Sequence, residues 1–414
     1  MRNILHIDLN NFYASVECML NPKLRGKKVA VTGAPEDRHG IILAKSSEAK
    51  ALGVKTGMTI WQARNLAPDL ITITANFPLY LEYSQKVREI YAKYTDKIEP
   101  FGIDECWLDV TSCLKLFKSP KEIARKIIDD VNKTLGLSVS VGISFNKVFA
   151  KLGSDLAGNN EIVEITPENY KQKIWSLPCE DLLYVGKQTK TKLHKNNIYT
   201  IGDLATYDKQ LLIKKLGKWG EYLHDFANGK DSSEVRNFMQ GPTIKSIGNS
   251  MTNYKDITNK TELKVVLFLL AESIVSRLRD LGVVSFNVIH THITFSDLSP
   301  AGFQKKLDNP ILSSTLLAEN SLKLILDNIN FDINIRAVGI SVSGLNFDES
   351  KKQISFFEND KQKKLENLEK CANKIQKKHG NTMFKKAVLL QDKKLSAINI
   401  KEEHIIHPDA FFRK

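Results

Sequence analysis

Phe101-Gly-Ile-Asp-Glu-Cys-Trp-Leu-Asp-Val-Thr111 sets two adjacent carboxylates, Asp104 and Glu105, directly ahead of the apolar residues Cys106, Trp107 and Leu108. The pattern predicts a strand that starts at the acidic pair. Strand side chains alternate, so the two carboxylates fall on opposite sides of the backbone. Neighbouring carboxylates repel and raise one another's pKa unless a cation joins them, and hard magnesium ions take oxygen ligands of this kind. A third carboxylate is available at Asp8, near the end of the apolar run Ile4-Leu-His-Ile-Asp-Leu9. If the strands carrying Asp8 and Asp104 lie side by side, the three can hold two metals roughly 3.5–4 Å apart, the arrangement used for in-line phosphoryl displacement. Taken singly, the same segments also fit a helix cap at Asp8 and a solvated turn at Asp104 and Glu105.

Outward from this pair, residues 4–9 read as a strand followed by a helix over 11–19. Further strand signals at 28–32, 41–43, 106–110 and 138–143 alternate with helical stretches at 79–94 and 120–135, which predicts an α+β sheet domain. From about residue 170 short helical pieces joined by glycine turns take over, as in Leu183-Tyr-Val-Gly-Lys187 and Leu216-Gly-Lys-Trp-Gly220. Beyond the Gly241-Pro242 turn, β-rich stretches at 283–294, 303–307 and 333–343 alternate with helices near 263–281 and 314–328, a second α+β domain. The tail opens polar at Phe347, and Leu365, Leu368, Ala372 and Ile375 recur at helical spacing within 361–378, predicting an amphipathic helix.

A chain of 414 residues exceeds what one hydrophobic core organises, which fits this division. Sixty Lys and Arg against 47 Asp and Glu leave a formal charge of +13, a potential that attracts polyanions, nucleic acid first among them, although a lysine-rich surface can also reflect base composition. The longest apolar run, 265–271, cannot span a bilayer, and the opening Met-Arg-Asn-Ile-Leu-His lacks the features of a signal peptide; a cytoplasmic protein is expected. Five scattered cysteines without a Cys-x-x-Cys pair suggest neither a disulfide framework nor a zinc site, only reduced and mostly buried thiols.

Ile7-Asp-Leu-Asn-Asn-Phe-Tyr-Ala-Ser-Val-Glu17 resembles the N-terminal signature of the Y-family (DinB/UmuC, translesion) DNA polymerases, and residues 101–111 resemble that family's second metal motif. Val141-Gly-Ile-Ser-Phe-Asn-Lys-Val-Phe-Ala-Lys-Leu-Gly-Ser-Asp155 is similar to a third palm segment. Matches at Ser47-Glu-Ala-Lys-Ala-Leu-Gly-Val54 and Lys245-Ser-Ile-Gly-Asn-Ser250 carry the resemblance over roughly residues 1–345. The resemblance implies an α+β multidomain right-hand polymerase: palm at 1–10 and 77–165, fingers at 11–76, a helix-hairpin-helix thumb at 166–240, a little finger at 241–345 and a tail at 346–414. It implies template-directed, low-fidelity primer extension across damaged DNA by two-metal catalysis without proofreading. Primer-template DNA and deoxynucleoside triphosphates are the implied substrates, two Mg2+ ions the cofactor, and a monomer the expected state.

By the same resemblance, Asp8, Asp104 and Glu105 are the catalytic metal ligands and Leu9 lends a backbone carbonyl. Tyr13 is the steric gate that excludes a 2′-hydroxyl by shape, with Phe12 the less favoured gate and more a core residue. Asn10, Asn11, Phe12, Tyr13, Ser47 and Lys50 are implied at the nucleotide, and Ile41 and Leu43 over the nascent base pair, although apolar alternation on a strand serves core filling equally well. Relatives often carry Tyr and Arg where Ser47 and Lys50 stand, which replaces a fork of donors by a point charge, and a palm lysine where Gly158 stands; Lys147 and Lys151 lie nearby in sequence.

The segment from Leu183 to Leu193 resembles a helix-hairpin-helix turn, whose backbone amides grip a phosphate. Gly186, Lys187 and Lys190 are implied there at DNA, together with Lys147, Lys151 and Lys245. The stretch 216–220 is a looser second copy or a plain helix-loop-helix. His290 and His292 share a strand face but lack partner ligands and are assigned no chemistry. Gln353-Ile-Ser-Phe-Phe357 resembles a sliding-clamp peptide, with Gln353, Phe356 and Phe357 as the contacts. Two other readings stay open: a DNA-binding scaffold of the same fold with weakened catalysis, and a nucleotidyl cyclase on a related palm, which leaves the thumb and tail motifs unexplained.

Overall fold

The computed structural model describes residues 1–33, 40–237, 244–348, 360–380 and 383–398, and divides near residue 242 into two compact units. The expected turn at Gly241-Pro242 and the segment from Gln353 to Phe357 lie outside the described residues.

Among the described residues, eight strands belong to the first unit: β1 (Ile4–Leu9), β2 (Val29–Thr32), β3 (Ile42–Lys45), β4 (Ile71–Thr74), β5 (Ile98–Phe101), β6 (Glu105–Asp109), β7 (Val139–Ser144) and β8 (Ile162–Ile165). Five form a sheet in the order β5-β6-β1-β7-β8, with β1 central and antiparallel to both neighbours. Period-two alternation gives β1 two jobs. Leu5, Ile7 and Leu9 join a core with Val87 and Ile90 of the helix Phe77–Tyr91 and with Ile123, Ile127 and Val131 of the helix Pro120–Leu135. Ile4, His6 and Asp8 take the other face, where Ile4 packs with Trp107 and with Ala150 of the helix Lys147–Leu156. The helix Pro120–Leu135 has the bounds its sequence predicts, with Ser119 accepting from the Glu122 N–H, Pro120 in the first turn and Gly136 at φ 64° closing the end. A smaller sheet, β3-β2-β4, follows the helix Phe12–Leu20.

Three strands of this unit carry no expectation above. β5 and β8 are four-residue edge strands, β5 with a proline that only an edge tolerates, and β4 is a four-residue Ile-Thr-Ile-Thr edge of the small sheet. After β8 the described remainder of the first unit is helical, as expected. The looser glycine copy closes a compact hairpin between the helices Lys209–Leu216 and Lys218–Ala227. Gly217 turns the chain at φ 64°, and a Cβ on Gly220 would sit 2.3 Å from the Leu212 carbonyl oxygen.

The second unit is an antiparallel sheet, β11-β10-β12-β9, made from β9 (Ser246–Ile257), β10 (Phe286–Phe295), β11 (Pro300–Ile311) and β12 (Ile335–Ser343). One face packs under the helices Lys260–Asp280 and Ser314–Leu326. The tail helix Asp360–His379 exists as predicted but docks by a face that takes only half of the apolar stripe, with Leu365 and Ala372 partly buried. Leu368 and Ile375 are exposed, while Glu369 and Asn373 are buried. Glu369 accepts from the N–H and hydroxyl of both Ser314 and Thr315 at a helix start and from Lys386 at 2.9 Å, and Asn373 donates to Ser276 at 3.0 Å. Cysteine burial also differs from expectation: Cys106 and Cys179 are buried, Cys18 and Cys113 partly so, and Cys371 is exposed, all as free thiols. No described helix is long and apolar enough to cross a membrane.

Candidate active site

Antiparallel pairing of β1 with β6 sets Asp8 directly across from Glu105, and the turn just before β6 carries Asp104. That turn is braced from below. Gly102 adopts φ 82°, a left-handed conformation that glycine takes without strain, and Arg88 donates to its carbonyl at 2.9 Å. The Ser84 hydroxyl donates to the Ile103 carbonyl, and the Leu9 N–H donates to the Asp104 carbonyl at 3.1 Å. Asp8 caps no helix: the residue at the helix start is Asn11, at φ 51°. The solvated-turn reading also fails for Glu105, which lies on the strand with its side chain 20% exposed.

The helix Lys147–Leu156 reaches this face because β7 offers no side chain at Gly142, where an added Cβ would lie 2.0 Å from the Ala150 carbonyl oxygen. The close approach delivers Lys151, whose ammonium lies 2.7 Å from Asp155, 3.2 Å from Glu105 and 4.0 Å from Asp8. It also delivers Ser154, whose hydroxyl lies 2.7 Å from Nδ1 of the buried His6, while His6 Nε2 lies 3.3 Å from Glu105. His6 was missed above, although it shares the Asp8 face of β1 by simple alternation.

One ammonium faces four carboxylates here. Burial first, and repulsion from Glu105 second, push Asp8 up to about 7 and Asp104 up to about 6. Burial alone would raise Glu105 too, but its contact with His6 and the charge of Lys151 outweigh that and hold it below the ordinary glutamate value. Burial keeps His6 below the ordinary histidine value. The three acidic side chains do not close to a tight ligand cluster, with Lys151 in contact with two of them. Oxygen donors that repel one another, with too few cations beside them, fit hard divalent ions.

Next to the carboxylates, Tyr13 stacks on Tyr80 at 4.3 Å between ring centroids and meets Phe77 edge-on at 6.0 Å. Burial, then Asp104, pushes its phenol up to about 12. Phe12 is 3% exposed and belongs to the core. Asn11 donates to the Ser47 hydroxyl at 3.1 Å, which joins the end of β1 to the start of the helix Ser47–Ala51, and Lys50 on that helix is exposed. Asn10 accepts from Ser140 at 2.9 Å, and the same hydroxyl contacts the Gly158 carbonyl. Ile41 and Leu43 lie on the side of their strand away from the buried Ile42.

Two lysines expected at DNA are engaged within the protein. Lys147 pairs with Glu99 at 2.8 Å and lies 4.6 Å over the Trp107 ring, and Lys151 belongs to the carboxylate cluster. Lys187 and Gly186 are exposed at the start of the helix Lys187–His194, Lys190 pairs with Glu180 at 2.6 Å, and Lys245 is exposed in the second unit.

Family models match this chain as the impB/mucB/samB family over residues 7–155, the C-terminal domain of that family over 244–356 and the DNA polymerase-iota thumb domain over 180–231. DNA polymerase IV of Acetivibrio thermocellus is 44% identical over 399 residues, covering 96% of this chain and 100% of the relative. DNA polymerase IV of Clostridium kluyveri is 34% identical, covering 95% and 99%. A solved Y-family DNA polymerase chimera, Dbh-Dpo4(243-245)-Dbh, is 25% identical with a TM-score of 0.73 over 84% of this chain and 100% of its own. The fold is that of a right-hand polymerase with a helix-hairpin-helix thumb. The chain belongs to the Y family of DNA polymerases, the DinB/UmuC-type translesion enzymes.

Proposed function

We propose that this DNA-directed DNA polymerase extends primers across damaged templates with Asp8, Asp104 and Glu105 holding two magnesium ions, Leu9 adding its carbonyl. The observation that carries the assignment is the β1–β6 register, which brings Asp8 to Glu105 beside the Asp104 turn. When bound, such ions neutralise phosphate oxygens and lower the pKa of the attacking hydroxyl. The chain's own residues prepare the place. Lys151 and His6 hold Glu105 ionised, Arg88 and Ser84 fix the Asp104 turn, and the Tyr80 stack holds the Tyr13 ring as the steric gate. Asn10, Asn11, Ser47 and Lys50 bind the nucleotide, Lys151 is better placed for its phosphates than for duplex DNA, and Ile41 and Leu43 cover the nascent pair.

The domain limits follow: palm 1–10 and 77–165, fingers 11–76, thumb 166–240, little finger 241–345. Gly186, Lys187 and Lys245 serve the duplex backbone, a contact that positions DNA without reading its sequence. We also propose a cytoplasmic monomer that meets a sliding clamp through residues 353–357. Primer extension with purified protein, magnesium and single deoxynucleotides tests the whole reading: templated insertion is expected, and duplex binding without insertion would establish the scaffold alternative.

A further inference from the structure

Among the described residues, the group of three metal-ligating side chains whose donor atoms all lie within 4.8 Å of one another is Cys179, Glu180 and His194, in the thumb and outside the polymerase site. We propose that these three side chains form a binding site for zinc or a similar borderline divalent ion, which staples the two ends of the first helix-hairpin-helix element.

The donor geometry supports this. Cys179 Sγ and His194 Nε2 each lie 3.7 Å from Glu180 Oε2. Tetrahedral zinc with a thiolate at about 2.3 Å and nitrogen or oxygen at about 2.0–2.1 Å separates its donors by roughly 3.3–3.6 Å, so the two pairs that share Glu180 need shifts of only a few tenths of an ångström, and the sulfur and nitrogen lie within 4.8 Å of each other. A sulfur, a nitrogen and an oxygen select a borderline ion over magnesium, which takes oxygen. His194 Nε2 is shielded from solvent and has no hydrogen-bond partner among the described residues, so a ligand there displaces nothing. The other Glu180 oxygen accepts from Lys190 at 2.6 Å, the outer contact that orients a ligating carboxylate, while the Tyr199 ring sits 5.0 Å from the His194 ring.

The frame is rigid. The Cys179 N–H donates to the Tyr199 carbonyl at 2.8 Å, Pro178 bridges Thr200, and the Cys179 thiol lies 3.6 Å from the Ile198 carbonyl. The side chains of Glu180 and His194 are about one third exposed, so the cluster lies near the protein surface. Cys179 and Glu180 precede the Tyr184–Gly186 turn, and His194 ends the helix that follows it. An ion joining them fixes the angle at which that turn presents its amides. Capture of the ion replaces the thiol proton, which is released to solvent.

The experiment is a cobalt titration of the full chain after chelator treatment, read by sulfur-to-cobalt charge transfer and tetrahedral ligand-field absorption, with zinc as competitor. With millimolar magnesium present to occupy the carboxylate site, one equivalent of cobalt is expected to develop the sulfur-to-cobalt band, displaced by zinc, together with a rise in melting temperature. Removing an outer contact of a metal site costs about 10–100-fold in affinity, so His194→Gln and Glu180→Gln, at partly exposed positions that leave folding intact, should each lose at least about tenfold. Cys179→Ser should abolish the charge-transfer band, and Asp104→Ala should leave it unchanged. A band that survives Cys179→Ser, equal cobalt affinity in His194→Gln, or no band in the unaltered chain would each overturn the proposal.

Discussion

Gly142→Ala tests whether the carboxylate cluster depends on the contact between β7 and the helix Lys147–Leu156. The added methyl would lie 2.0 Å from the Ala150 carbonyl oxygen, 2.4 Å from the Ser154 nitrogen and 2.8 Å from the Gly153 carbonyl carbon, all backbone atoms that cannot rotate away. Restoring an ordinary contact near 3.4 Å requires the helix to recede by about 1.4 Å at that point. Such a movement takes the Ser154 hydroxyl out of bonding distance of His6, and Lys151 out of contact with Glu105. Overpacking costs about 1–3 kcal/mol and the lost hydrogen bond about 1 kcal/mol more. At roughly 2–4 °C per kcal/mol for a unit of this size, the melting temperature should fall by about 5–15 °C. Misplacement by about 1 Å costs on the order of 100-fold in rate, so single-turnover insertion should slow by about that factor at a temperature where the variant is folded. A variant that melts within a degree of the unaltered chain and inserts at the same rate refutes this account of how Lys151 and Ser154 reach the carboxylates.

Asp104→Ala and Glu105→Ala should each abolish primer extension while duplex binding, measured by fluorescence anisotropy, survives; extension retained by either variant removes that residue from the metal set. Tyr13→Ala should raise ribonucleotide insertion by about tenfold or more relative to deoxynucleotide insertion, since it removes a clash and no reacting group; unchanged sugar discrimination moves the gate elsewhere. Duplex affinity should fall steeply with salt and depend little on sequence, and a flat response contradicts lysine contacts to phosphate. Glu369 is held at about 2, against burial that would raise it, by Lys386 and by its bonds to Thr315. A depressed carboxyl stabilises the folded state fully above its unfolded value near 4.5, and that contribution is lost as pH falls toward 2. It amounts to on the order of 3 kcal/mol. The stability gap between the unaltered chain and Glu369→Gln, from urea melts, should therefore be widest above pH 5 and close toward pH 2; a gap independent of pH contradicts the network.

The meeting of the carboxylates was legible in part because β-structure writes its geometry into alternation. An apolar run ending in Asp8 and another starting after Asp104 require only that their strands be neighbours for the carboxylates to meet, and the observed register supplies that. The same alternation puts His6 beside Asp8, but a histidine inside an apolar strand reads as core until the partner strand shows Glu105 across from it. The engagement of Lys147 and Lys151 was illegible for a different reason. A lysine's surroundings are set by what packs against its helix, here through Gly142, and periodicity carries no information about a contact made by backbone atoms.

The tail helix obeys a pattern that hydropathy does not record. Its apolar residues recur at helical spacing, and burial of that stripe is the ordinary expectation, yet Leu368 and Ile375 remain exposed while Glu369 and Asn373 are buried. The winning term is polar satisfaction. The helix Ser314–Leu326 starts with N–H groups that have no partner within the helix, and a carboxylate beside them also meets the favourable end of the helix dipole. Glu369 accepts from the Ser314 and Thr315 N–H groups at 2.8 and 2.9 Å and from both hydroxyls, with Lys386 and Arg279 balancing its charge. Glu366 accepts from the Leu312 N–H one turn earlier and Asn373 bonds Ser276 one turn later, so polar contacts recur along the docked face beside the partly buried Leu365 and Ala372. A hydropathy pattern weighs residues by their transfer out of water and cannot register a face whose affinity lies in donors left over on another helix. Such a face becomes visible only when the partner's unfilled helix start is counted alongside it.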